Sequence, residues 1–161
     1  EFKSLFGIQL YEKAEKYFKI NYINSNKLKN KETFNGFYDI EVTKRITTKN
    51  PFLSKYWIVL DESNSIKQIS AEQNIIDLTK CNNFKDQLLK VFISKYNFKF
   101  DKKEFTHKDF YTDQNYAKVD DNKFLYIKCV DTFSTKKINL IISLESIHYL
   151  NRKKEYYESG F

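Results

Sequence analysis

The 161-residue sequence has no methionine, one proline, three glycines, one tryptophan, two histidines and two cysteines. So little glycine and proline excludes collagen-like, glycine-loop and proline-rich linker architectures. No uninterrupted run of about 20 apolar residues occurs, so no transmembrane segment is expected. His107 and His148 lie far from each other and from both cysteines in sequence, which fits no zinc-ligand spacing. A phosphate-cradling loop, a nucleophile elbow and a histidine-rich metal motif are all missing. A cysteine–histidine nucleophile would need a free thiol beside one of those two imidazoles. The chain opens at Glu1 with no methionine, so a mature form left after leader removal, or a trimmed chain, is expected.

Arginine is scarce as well. Arg45 and Arg152 stand beside 26 lysines, and the net charge is +7 with a pI near 9.2. Such a sum by itself suggests nucleic acid or an anionic surface. Its distribution argues otherwise. Residues 1–80 carry 13 basic and 10 acidic side chains, and residues 81–161 carry 15 and 11. The densest basic runs are only Lys136-Lys137 and Arg152-Lys153-Lys154. Arginine is the side chain suited to bidentate phosphate and base contacts, and here it is nearly absent. Lysine, asparagine, isoleucine, phenylalanine and tyrosine share AT-rich codons. The lysine excess therefore reads as genome bias and a solvated surface, with neither a nucleic-acid partner nor a cofactor.

Aromatic side chains are abundant, with 15 phenylalanines and 12 tyrosines. With 41% hydrophobic and 30% charged residues, the chain is neither disordered nor a membrane span. One compact domain over 1–161 is expected, with a large core and two halves of similar outline, 1–80 and 81–161.

Segment 8–22 reads as an amphipathic helix, with Leu10, Ala14, Tyr17, Phe18 and Tyr22 at helical spacing. Asn21 to Asn35 reads as a polar loop ending at Gly36. Strands are expected at 37–45, 56–60 and 66–72, with a hairpin turn over Asp61 to Ser65. A second helix spans 82–96, with Phe84, Leu88, Val91, Phe92 and Tyr96 as its stripe and Asn82 or Asn83 as its cap. A polar stretch runs to Lys108. Strands at 109–119, 124–130 and 138–144 follow, and a last helix covers 146–159. The order is helix, three strands, helix, three strands, helix. This predicts an α+β fold with an antiparallel sheet of about six strands and two or three helices on one face.

Asp61, Ser63, Ser65 and Glu72 fall at EF-hand positions one, three, five and twelve. The sixth position is Ile66 where that loop needs glycine, and the flanks are strands, so a hairpin tip is the expectation. Asp113, Asp120, Asp121 and Asp131 are expected mostly in solvated turns. Phe98, Phe100, Phe105, Phe110, Tyr111 and Tyr116 cluster after the second helix, interleaved with Lys99, Lys102, Lys103 and Lys108. Either these rings pack into the core or they line a binding loop for a partner. Phe105, Phe110, Tyr111, Lys102 and Lys103 are the partner-binding candidates. Tyr156, Tyr157 and Phe161 pose the same alternatives.

Cys81 precedes a helix and Cys129 lies within a strand, a common placement for a bridge. A disulfide, and with it an oxidising compartment, is expected; two buried free thiols are the other reading.

The opening Leu5-Phe6-Gly7-Ile8-Gln9-Leu10 resembles the start of certain small exported bacterial proteins. Cys81, the Lys95-Tyr96 pair and Cys129 follow the same outline, and Tyr11 stands where such openings carry a glycine. The layout is also similar to the helix-plus-meander modules of BamE-type assembly lipoproteins and β-lactamase inhibitor proteins. This resemblance implies export and a binding role. The expected function is a non-enzymatic, periplasmic or extracellular domain that binds another protein at the bacterial cell envelope, with an acidic partner as the narrower expectation. An inhibitor or immunity protein is a sharper version, and a small hydrolase or ligand-binding protein is the alternative.

Overall fold

The computed structural model describes residues 1–29, 32–33 and 36–159. Its elements run α1 (Ile20–Lys29), β1 (Glu32–Thr33), β2 (Phe37–Glu41), β3 (Lys55–Asp61), β4 (Ile66–Ile75), α2 (Leu78–Tyr96), β5 (Asp101–Thr106), β6 (Phe110–Asp120), β7 (Lys123–Thr132), β8 (Lys137–Ser146) and α3 (Ile147–Ser159). The fold is α+β. The strands form one antiparallel sheet in the order β1-β2-β3-β4-β8-β7-β6-β5. Seven strands are five residues or longer, and β1 is a two-residue stub. Each half is a meander read outward from the centre, and β4 pairs with β8 to join them. No helix among the described residues is long and apolar enough to cross a membrane.

The first helix falls elsewhere than the pattern predicts. Residues 8–18 form an irregular strap with a single 3-10 turn, Ala14–Lys16, and the helix begins at Ile20 inside the expected loop. The reason is tertiary pairing. Tyr11 N–H donates to Ile66 O, Ile66 N–H to Glu12 O, and Ala14 N–H to Asn64 O. These bonds tie the strap to the β3–β4 hairpin and sink Ile8, Leu10, Ala14 and Phe18 into the core. Tyr11 takes φ +69°, a left-handed conformation no right-handed helix accommodates. The apolar spacing was real, but strap and helix bury the same residues.

Strand alternation splits the sheet into two unlike faces. Tyr56, Ile58, Ile69, Ala71, Leu125, Ile127, Cys129, Leu140, Ile142 and Leu144 face α2, α1 and the strap, and form the main core. The N-terminus is pinned there by rings: Phe2 meets Phe92, Tyr96 and Phe98 edge-on at 5.8, 5.1 and 5.5 Å. The helices do not all share this face. Tyr149 of α3 packs on Phe37, and Lys153 reaches Glu145; both partners alternate away from the core. A sheet with both faces partly apolar leaves the last helix a second seat, which the strand count alone does not reveal.

α2 starts a turn earlier than the asparagines suggest. Asp77 caps it, accepting from Lys80 N–H at 2.7 Å, and Asn97 in the left-handed region ends it. Val91 faces solvent, and the buried stripe instead holds Cys81, Lys85 and Phe92. Cys81 and Cys129 are disulfide-bonded. One turn along α2, Lys85 Nζ bonds Asp113 Oδ1 at 2.9 Å, with side chains 2% and 6% exposed. Asp113 sits directly across from Cys129 in the β6–β7 ladder. Disulfide and ion pair are thus two adjacent ties from one helix face to one rung of the sheet.

Closing a 48-residue loop constrains the unfolded chain by about 4 kcal/mol in the chain-entropy model. Replacing both cysteines by alanine is expected to lower stability by about that much in urea unfolding. Asp113→Asn leaves the Lys85 ammonium buried without its counter-charge and is expected to lose roughly 3–5 kcal/mol in the same measurement.

Candidate functional site

Away from the core, β5–β8 form a largely uncovered surface. Register sets its rows. Lys103 faces Gln114, Gln114 faces Lys128, and Lys128 faces Ile141. The next row toward the β5–β6 turn holds Phe105, Thr112 and Val130, and the row on the other side holds Tyr116, Tyr126 and Ser143. α3 stands over one edge, contributing Leu150 and Lys153. Between α3 and the β5–β6 hairpin runs a groove of about 700 Å³. Phe105, Phe110, Val130, Ile141, Tyr126 and Leu150 supply its apolar lining.

At one end the buried Glu145 carboxylate accepts from Lys153 Nζ, from Gln68 Nε2 at 3.0 Å and from Ser143 Oγ at 3.2 Å. Burial works to raise its pKa. The charges of Lys153 and Lys128 and the bonds from Lys153 and Gln68 outweigh burial and hold the carboxyl below its ordinary value. Lys128 is half-buried, and burial pushes its ammonium below the usual lysine range while Glu145 opposes that. No carboxylate among the described residues lies within 4.0 Å of Lys128 Nζ. Burial is also the main reason that the Tyr126 hydroxyl is pushed up, helped by Glu145.

The aromatic–lysine cluster of the sequence divides between the faces. Phe105, Phe110 and Lys103 come together in the groove, where Lys103 Nζ lies 5.7 Å from the Phe105 ring centroid. Lys102 and Tyr111 project to the opposite face. There Lys102 Nζ lies 3.4 Å from Glu104 and 3.8 Å from Asp113, whose charge holds its ammonium above the ordinary value. Phe98 and Phe100 pack against the core, and Tyr116 stacks on Tyr126 at 5.8 Å. The side chains of Tyr156 and Tyr157, and all of Phe161, lie outside the described residues.

Other candidates are dispersed. Asp61 Oδ1 accepts from the N–H groups of Ser63 and Ser65, so the calcium-like fragment is a hairpin turn closing on itself. Asp113, Asp120 and Asp121 pair separately with Lys85, Lys123 and Lys118. No group of three or more metal-ligating side chains converges among the described residues. His107 stacks on Phe110 at 5.0 Å at the β5–β6 turn, and Glu145 lies toward the other end of the paired strands. His148 is exposed at the start of α3, edge-on to Tyr11.

No family model matches this chain, and no curated protein or solved structure matches it either.

The sequence did not point to the two charges here, the buried Glu145 and the half-buried Lys128. Lys128 lies within the strand expected at 124–130 and carries no mark in the sequence that sets it apart. Glu145 fell just past the expected strand end, and nothing in the sequence showed that α3 would cover it. Because the folded Glu145 pKa lies below its unfolded value, its stabilisation is complete above that unfolded value, near 4.5, and is lost as pH falls through the folded one. Glu145→Gln is therefore expected to be less stable than wild type by about 2 kcal/mol at pH 7. The urea midpoints of the two proteins are expected to draw together as pH falls below 4.5 and the wild-type carboxyl protonates.

Proposed function

We propose that this chain is a disulfide-tied binding domain that holds a protein partner against the open face of its sheet, in an oxidising compartment such as the periplasm or the cell exterior. The observation that carries the reading is the asymmetry of the sheet. The central strands of one face are covered by α1, α2 and the strap, while α3 covers only part of the other and leaves a groove flanked by exposed Phe105 and by Phe110. Rings beside long cationic side chains make good anchors for a protein surface. A buried disulfide is compatible with the proposed compartment. The inhibitor or immunity reading is a special case in which the partner is an enzyme or toxin.

Catalysis by the groove is the weaker reading. Its carboxylate is engaged by Lys153, Gln68 and Ser143, and its imidazole stacks on a ring at the far turn. General acid–base work needs the two within reach of one reacting atom.

Site-directed photo-crosslinking tests the proposal. A benzophenone side chain at position 105 or 126 is expected to give a discrete protein adduct in envelope extracts of the source cells. The same group at position 90, exposed on α2, is expected to give none. Equal labelling from both faces, or no adduct from either groove position, would overturn the reading.

A further inference from the structure

We infer that the groove contains a carboxylate-receiving subsite, Lys128–Gln114–Lys103, which takes an aspartate or glutamate of the partner while an adjoining large apolar residue packs against Phe105, Phe110 and Val130. This rests on the groove being the binding face.

Charge comes first. Glu145 has a direct ion-pair partner in Lys153. Lys128 and Lys103 have no carboxylate within 4.0 Å among the described residues, so the row between them is cationic. Lys128 is partly desolvated on the floor of the groove. A partly buried ammonium without a close counter-ion gains more from an arriving carboxylate than a solvated one does.

Geometry comes second. Lys103 and Lys128 flank Gln114 on successive strands, so their Cα atoms lie roughly 10 Å apart on one face. Long flexible stems let both ammonium groups converge above the Gln114 amide, which adds a neutral donor between them. The neighbouring row, Phe105–Thr112–Val130, is mostly apolar and lies two residues along the strands. The ligand that fits both rows carries an acid directly beside a bulky apolar group. A peptide loop or extended segment of a protein supplies that pattern.

Random dodecapeptide display on the immobilised protein separates this inference from the one beneath it. Wild type is expected to enrich Asp or Glu within two positions of Phe, Leu or Trp. Lys128→Met is expected to lose the acidic preference and to weaken a selected peptide at least tenfold, with the same peptide's Glu→Gln version weakened similarly on wild type. Lys128→Met is expected to unfold in urea no earlier than wild type, because it removes a charge that burial disfavours. Lys103→Met provides a second variant on an exposed edge strand should it do so. Peptides that bind in the groove but show no acidic preference would overturn the subsite and leave the binding face standing. Peptides that protect α2 instead of the groove in hydrogen exchange would overturn both.

Discussion

The structure depends on the β4–β8 ladder. Eight consecutive pairs, from Gln68–Glu145 to Ile75–Ile138, join two meanders that would otherwise end in bare edges. The ladder sends Ile69, Ala71, Leu140, Ile142 and Leu144 into a common core, and it brings Gln68 to Glu145 on the other face. It is also costly to form, because Ile75 and Ile138 are 63 residues apart in sequence. The disulfide lies inside that interval. With Cys81 joined to Cys129, the covalent path between the two ends of the ladder shortens to about 16 steps. By the logarithmic closure law, this eases pairing by about 1 kcal/mol. The cross-link therefore acts on the seam as well as on the helix it holds.

Two charge clusters lie on opposite faces of the same sheet, and their surroundings give them different roles. Lys85 and Asp113 are sealed beneath α2, beside the disulfide, where breaking the pair would strand a charge out of water. Lys102, on the same face, lies 3.8 Å from the second Asp113 oxygen. The Glu145 cluster borders the groove, and there the lysines outnumber the carboxylates. Lys153 satisfies Glu145 directly, and Lys128 is left half-buried with only a longer-range attraction to it. The first cluster is closed and ties helix to sheet; the second carries a surplus cation that borders open solvent.

Much of the second half was legible in the sequence because its elements obey local rules. α2 has a stripe and caps, and β6, β7 and β8 lie within a few residues of their expected bounds. The first half was less legible at its start, where Ile8 to Phe18 trade helix for pairing with the β3–β4 hairpin. β5 went unread because all six of its residues are exposed, so alternation leaves no apolar trace. Lys85 did leave a trace. It lies four residues after Cys81, on the buried face of α2, and an inward lysine requires a buried acid. The groove gave no such clue, since it depends on which face α3 chooses.

Net charge shows why sequence spacing and spatial spacing must be read separately. The basic excess is even along the chain, which argues against any one cationic segment. Antiparallel register nevertheless gathers residues from distant positions into single rows. Lys103 and Lys128 are 25 residues apart in sequence and two strands apart in space, and Lys153 joins them from α3. The scarcity of arginine fits the same picture. Lysine offers a point charge on a flexible stem, so cations from separate strands and a helix can lean over one apolar floor without the fixed fork geometry of arginine. A feature that reads as genome bias along the chain thus becomes a local chemical property once the strands are paired.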